Sequence, residues 1–134
     1  MTEDAITQHL IDLMAGGHLQ VADDNTFFFH GTDNKFPFAT IVTKDNDFDS
    51  ASNLNRPGVF RLNVGVGKET FRALFGELDE GNIDFTALDK LMPHPVYAKM
   101  YWVSVINPSN KTFETVKPLL TEARSLAIAR DKSK

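Results

Sequence analysis

Residues 59–66, VFRLNVGV, alternate large apolar side chains with polar or small ones, and this stretch constrains the fold more than any other. A strand sends successive side chains to opposite faces. Phe60, Leu62, Val64 and Val66 therefore share one face, while Arg61, Asn63 and Gly65 share the other. Such a strand belongs to a sheet covered on one side and at least partly polar on the other.

Other segments supply partners for it. TFFFH (26–30) and FPFATIVT (36–43) are aromatic and β-branched, and the turn-like GTDNK between them makes a hairpin. Pro37 cannot donate to a ladder, so its strand lies at an edge or starts there. MYWVSVIN (100–107) is the last strand, with Met100, Trp102 and Ile106 on one face and Tyr101, Val103 and Val105 on the other. Apolar residues on both faces place it centrally, or lay Trp102 on an otherwise open face.

Two helices frame these strands. Ile6, Leu10, Leu13 and Met14 recur at helical spacing, with Thr2 as cap, Glu3 and Asp4 at the positive end of the dipole, and Gly16-Gly17 as the stop. Phe113, Val116, Leu120, Ala123 and Ala127 trace one face of a long terminal helix. Pro118 either kinks that helix or begins it. KETFRALFG (68–76) reads as a short helix closed by Gly76, and FTALDKLM (85–92) as another ended by Pro93. DNDFDSASNLNRPG (45–58) reads as a polar surface loop with a helical turn. The order gives an α+β fold, a mostly antiparallel sheet of five to six strands with the N- and C-terminal helices packed on it, as one domain over 1–134.

Composition narrows the chemistry. There is no cysteine among the 134 residues, which removes disulfides, thiol catalysis and thiolate metal sites. The net charge of −4 and the scattered basic residues argue against a nucleic-acid binder, which needs a basic face. No apolar run reaches membrane-spanning length and MTEDAITQHL lacks the pattern of a signal peptide, so the expected setting is cytoplasmic, away from membranes.

No catalytic or cofactor motif is complete. Asp45, Asp47 and Asp49 begin like a calcium loop, but Ser50 replaces its glycine and Arg56 its final glutamate, leaving a solvated acidic loop. GVGKET (65–70) lies between strand and helix without matching a dinucleotide or Walker loop, although Gly67 opens a helix whose N–H groups suit an anion. His9, His18, His30 and His94 lack metal spacing, and acidic pairs such as Asp79 with Glu80 fall in polar loops. The reading assigns no metal, no cofactor and no catalytic residue.

His94 is the one residue held in an unusual way. Pro93 and Pro95 flank it and leave it little freedom to lose on binding. It suits a general base or a binding contact, or else it is the tip of a stiff turn that hydrogen-bonds backbone.

The segments NKFPFATIVT, NLNRPGVFRLNVGV, LDKLMPHPVYAKMYWVSVINPS and FETVKPLLTEA resemble an uncharacterised bacterial family, domain of unknown function 6194, over nearly the whole chain. More distantly, KFPFA (35–39) and WVSV (102–105) are similar to the strands of YjbR-like proteins. That resemblance implies a secretion-chaperone-like α+β fold and brings no established reaction. Some YjbR-like proteins have been suspected of binding DNA, which the acidic balance here opposes.

The expected function is a non-enzymatic binding or interaction domain. Its site is the less-covered sheet face: Arg61 to pair an anion, Asn63 and His94 for directed hydrogen bonds, and Tyr97 and Trp102 for flat apolar area. The alternatives are a small hydrolase or transferase with His94 as acid–base, and a nucleic-acid module. The expected partner is a small molecule or a protein, with the chain a monomer or a homodimer.

Overall fold

The computed structural model describes residues 1–14, 17–32, 35–77 and 80–132. The expected helix stop at Gly16, part of the turn at Asp33-Asn34, and Asp79 lie outside them. Six strands form one antiparallel sheet: β1 (His18–Ala22), β2 (Asn25–Phe29), β3 (Ala39–Val42), β4 (Arg61–Gly65), β5 (Met92–Pro93) and β6 (Trp102–Ile106). Their spatial order is β1-β2-β3-β4-β6-β5. Among the described residues, helices α1 (Glu3–Leu13), α2 (Lys68–Phe75) and α3 (Asn110–Lys132) complete the regular structure, with two single 3₁₀ turns. Among the described residues no helix is long and apolar enough to cross a membrane.

The alternation of the central strand divides the molecule. Leu62 and Val64 of β4, with Ala39, Ile41, Val103 and Val105 of its neighbours, pack with Ile6 and Leu10 of α1 and with Phe113, Val116, Leu120, Ala123 and Ala127 of α3. All the residues that trace the apolar stripe of α3 are buried. Thr2 caps α1 through its Oγ1, which accepts from the Ala5 amide at 3.1 Å, a contact worth about 1 kcal/mol. Ser109 plays the same part for α3, accepting from the Thr112 amide at 3.2 Å. Pro118 lies within that helix and does not begin it.

Pro37 stands just before β3, an interior strand, so the choice between edge and strand start falls on the start. β6 lies between β4 and β5, one place in from the edge. Two elements differ from the sequence reading. His18–Ala22 forms an edge strand that was not anticipated, because its mixed side chains gain strand character only by pairing along β2 from His18↔Phe29 to Ala22↔Asn25. Residues 85–92 are turns and the start of β5 instead of a helix. There the carboxylate of Asp84 accepts from the Thr86 amide at 3.0 Å, and Asp89 adopts a positive φ of 57° while its amide donates to the Ile106 carbonyl at 2.7 Å. Aspartates that bond nearby backbone compete with helix formation.

The outward face of the sheet carries Phe27, Thr40, Arg61, Asn63, Gly65, Trp102 and Ser104, as the strand registers require. One end is roofed by the segments before β4 and before β5, where Val42, Leu54, Met92 and Ile106 form a second small core. The other end is open, and it is a groove.

Candidate ligand-binding groove

Asn63 stands at the middle of β4 with Thr40 opposite on one side and Ser104 on the other. Its amide nitrogen donates to Thr40 Oγ1 at 2.9 Å, and its Oδ1 accepts from Ser104 Oγ at 2.7 Å and from Arg61 Nε at 2.8 Å. Arg61 is fully buried. Its Nη1 donates to Asp49 Oδ1 and to Ser52 Oγ, each at 2.9 Å, and its Nη2 donates to Asp49 Oδ2. A guanidinium removed from water must be paired and hydrogen-bonded to persist. Asp49 supplies that pairing and Ser52 and Asn63 the remaining bonds.

This corrects two sequence expectations. The loop 45–58 is not merely solvated: Asp49 folds inward with its side chain 12% exposed. Asp45 accepts from the Leu54 amide at 2.8 Å, and Asn46 Oδ1 accepts from the amides of Phe48 and Asp49 at 2.9 and 3.0 Å. Arg61 does lie on the outward face beside His94, but its donors are spent within the protein.

His94 follows β5, its amide donating to the Trp102 carbonyl at 2.9 Å. Its Nδ1 accepts from the amides of Val96 and Tyr97, both at 3.0 Å. An atom receiving two N–H groups carries no proton, so the neutral ring bears its hydrogen on Nε2. Nε2 lies 3.4 Å from Arg61 Nη2 and 4.0 Å from Asp49 Oδ2. Burial, and then the Arg61 charge, push the His94 pKa down from 6.5 to about 3, with Asp49 opposing. His94 is thus a neutral ring with its Nδ1 lone pair engaged. With its Nε2 turned to the buried Arg61–Asp49 pair, it is poorly built to take up a proton.

Above this floor the walls are aromatic. The groove encloses ≈ 660 Å³, inside the range of about 300–1,000 Å³ usual for small-molecule sites. Trp102 lies against Gly65: a Cβ on that glycine would come within 3.0 to 3.3 Å of the indole. The missing side chain lets the ring rest on the strand. Tyr97, its ring 4.9 Å from that of His94, is half exposed, as are Phe36 and Met100, while Phe48 stands 88% exposed at the rim. Of the five residues singled out from sequence, Asn63, His94, Tyr97 and Trp102 line the groove, and Arg61 lies in the floor network without lining it. Sequence reasoning missed Asp49, Ser52, Thr40 and the rim residues Phe36 and Phe48. The adjacent Phe36-Pro37-Phe38 was the available signal for part of the rim.

The helix N-terminus at Gly67 has an occupant from its own chain. Glu122 of α3 accepts from the Gly67 amide at 2.8 Å and from Thr70 Oγ1 at 2.6 Å. Among the described residues no three His, Asp or Glu side chains are grouped as metal ligands.

Over residues 1–134 the chain matches the model described as "Family of unknown function (DUF6194)". It is also similar to a protein of Pseudomonas syringae whose crystal structure was solved in a structural-genomics programme. The TM-score is 0.52 at 12% identity, covering 95% of this chain and 99% of that one. Likeness at that identity concerns the fold alone. No match is found among curated proteins.

Proposed function

The chain belongs to the DUF6194 family, from which no reaction is inherited, and we propose that it is a non-enzymatic binding domain holding a small, flat, largely apolar molecule in the outward groove. The observation that carries this reading is the pairing of an aromatic, solvent-open rim with a fully bonded polar floor. Exposed aromatic side chains gathered around one concavity mark a binding surface. A floor whose polar groups already have partners is rigid, so it adds orientation without reorganising.

The same floor weighs against catalysis by His94. A general base needs a free lone pair, and the Nδ1 lone pair is held by two amides. An anion clamp needs unspent donors, and those of Arg61 go to Asp49, Ser52 and Asn63. His94 Nε2 faces the buried Arg61–Asp49 pair, so the ring's part in the site is to fix the Val96 and Tyr97 amides at the groove wall through Nδ1.

The chain's single tryptophan lines the groove, so its emission reports occupancy. Purified protein screened against a metabolite library should yield compounds that raise the melting temperature and alter Trp102 emission. Both effects should weaken in Tyr97→Ala and Phe36→Ala, whose side chains are half exposed. Compounds that stabilise the protein with Trp102 emission unchanged, and equally in both variants, would place binding elsewhere and overturn the proposal.

A further inference from the structure

The sheet ends differently at its two edges. β5 is two residues long, and one of them is Pro93, which has no N–H to offer. β1, at the other edge, runs His18–Ala22 with no proline and no Asp, Glu, Lys or Arg. Natural edge strands are blunted by shortness, proline or charge, because an unpaired ladder invites another strand. β5 is blunted in this way and β1 is not.

The hydrogen bonds fix which residues of β1 point outward. The carbonyls of Asp24 and Phe28 accept from the Thr43 and Phe38 amides at 3.0 and 2.9 Å, so the even-numbered residues along β2 bond toward β3. The odd-numbered Asn25, Phe27 and Phe29 therefore bond toward β1, where they face Ala22, Gln20 and His18. Leu19 and Val21 are left with N–H and C=O turned to the open edge, and no other described segment hydrogen-bonds to them. Their side chains lie on the helix-covered face with Phe28. Leu19 is partly buried against the core, whereas Val21 is 68% exposed.

We propose that β1 is a homodimer interface that pairs antiparallel with β1 of a second copy. In the register centred on Gln20, Leu19 of each copy faces Val21 of the other, and roughly four backbone hydrogen bonds form. The apolar pairs cover the exposed Val21 side chains. The same register separates the acidic turns. Asp23 of one copy stands about 20 Å from Asp23 of the other, at ~3.4 Å per residue, near His18 instead of a like charge. A parallel pairing would set the two acidic turns side by side. The strand is thus its own complement, as a two-fold interface requires. β1 contributes no residue to the groove, and a two-fold axis normal to the sheet opens both grooves on the same side. A contact of this kind falls below the roughly 1,200 Å² of a standard interface, so the dimer is weak, with a Kd on the order of 10–100 μM.

Sedimentation of the purified chain, from well below to well above that Kd, should show monomer passing to dimer. Over the same range the Leu19 and Val21 amides should gain protection from hydrogen exchange, while the Gln20 amide, already bonded to β2, changes little. Val21→Lys places a cation opposite Leu19 in both halves and should weaken dimerisation at least about tenfold. Val21→Pro removes an N–H that bonds nothing within the chain, so it should abolish the dimer and leave the melting temperature near the parent's. Should the proline disturb the monomer, the lysine variant still decides, because its side chain replaces one that is already exposed. A chain that stays monomeric throughout, or a dimer indifferent to Val21→Lys, would overturn the proposal.

Discussion

Asp49 reaches from the loop between β3 and β4 and grips Arg61 with both carboxylate oxygens. The two are unequally buried: the guanidinium is wholly enclosed and the carboxylate side chain is 12% exposed. Removing Asp49 strands a cation away from water, whereas removing Arg61 leaves an anion near the groove mouth.

That asymmetry predicts the outcome of a double-mutant cycle. Asp49→Ala should lose about 3–5 kcal/mol of unfolding free energy, and Arg61→Met should lose less. The double variant should be more stable than the sum of the single losses implies, by about 0.5–3 kcal/mol. Urea denaturation of the four proteins measures it, and strictly additive losses would show that the pair is not coupled.

Stability should fall on acidification through His94. Its folded pKa of about 3 lies below the ordinary 6.5, so between these values the unfolded chain binds a proton that the folded one refuses. The His94 contribution is fully present above pH 6.5 and is lost as pH drops toward 3. The groups facing it are Arg61, which deepens the effect, and Asp49, which opposes it. Where the unfolded histidine is fully charged, the slope from this residue approaches about 1.4 kcal/mol per pH unit. His94→Asn, which keeps an acceptor for the Val96 and Tyr97 amides, should flatten the curve of stability against pH in that window. An unchanged slope would contradict the assignment.

Gly65→Ala tests the seat of Trp102. Alanine is ordinarily the better strand residue of the two, yet here its Cβ would press on the indole at 3.0 to 3.3 Å. The expected result is a net loss of about 1–3 kcal/mol, with a shift in Trp102 emission and weaker binding of groove probes. A variant as stable as the parent with unaltered emission would mean the indole does not rest on the strand.

What the sequence disclosed was the part governed by short-range pattern. The alternation from Phe60 to Val66 separated core from groove, and helical spacing identified the buried stripe of α3. The turn around His94 followed from its two prolines, including its bonds to backbone, which stood as one of two readings. What it concealed was long-range polar pairing. No local pattern says that Asp49 will turn inward to Arg61, or that Glu122 will reach back to Gly67, because each depends on a fold that must exist first. The turns at Asp84 and Asp89 were hidden for a different reason. Apolar spacing in FTALDKLM resembles a helix, and only the aspartate bonds to backbone decide against it.

The most direct test of the account is the nitrogen NMR spectrum of the His94 imidazole, recorded on the folded protein from pH 8 down to pH 5. A histidine buried in the floor of the groove with its Nδ1 held by two amides should stay neutral throughout, with its proton on Nε2 and Nδ1 in the acceptor range. A ring that titrates near pH 6.5, or carries its proton on Nδ1, would contradict that floor and return His94 to the list of acid–base groups.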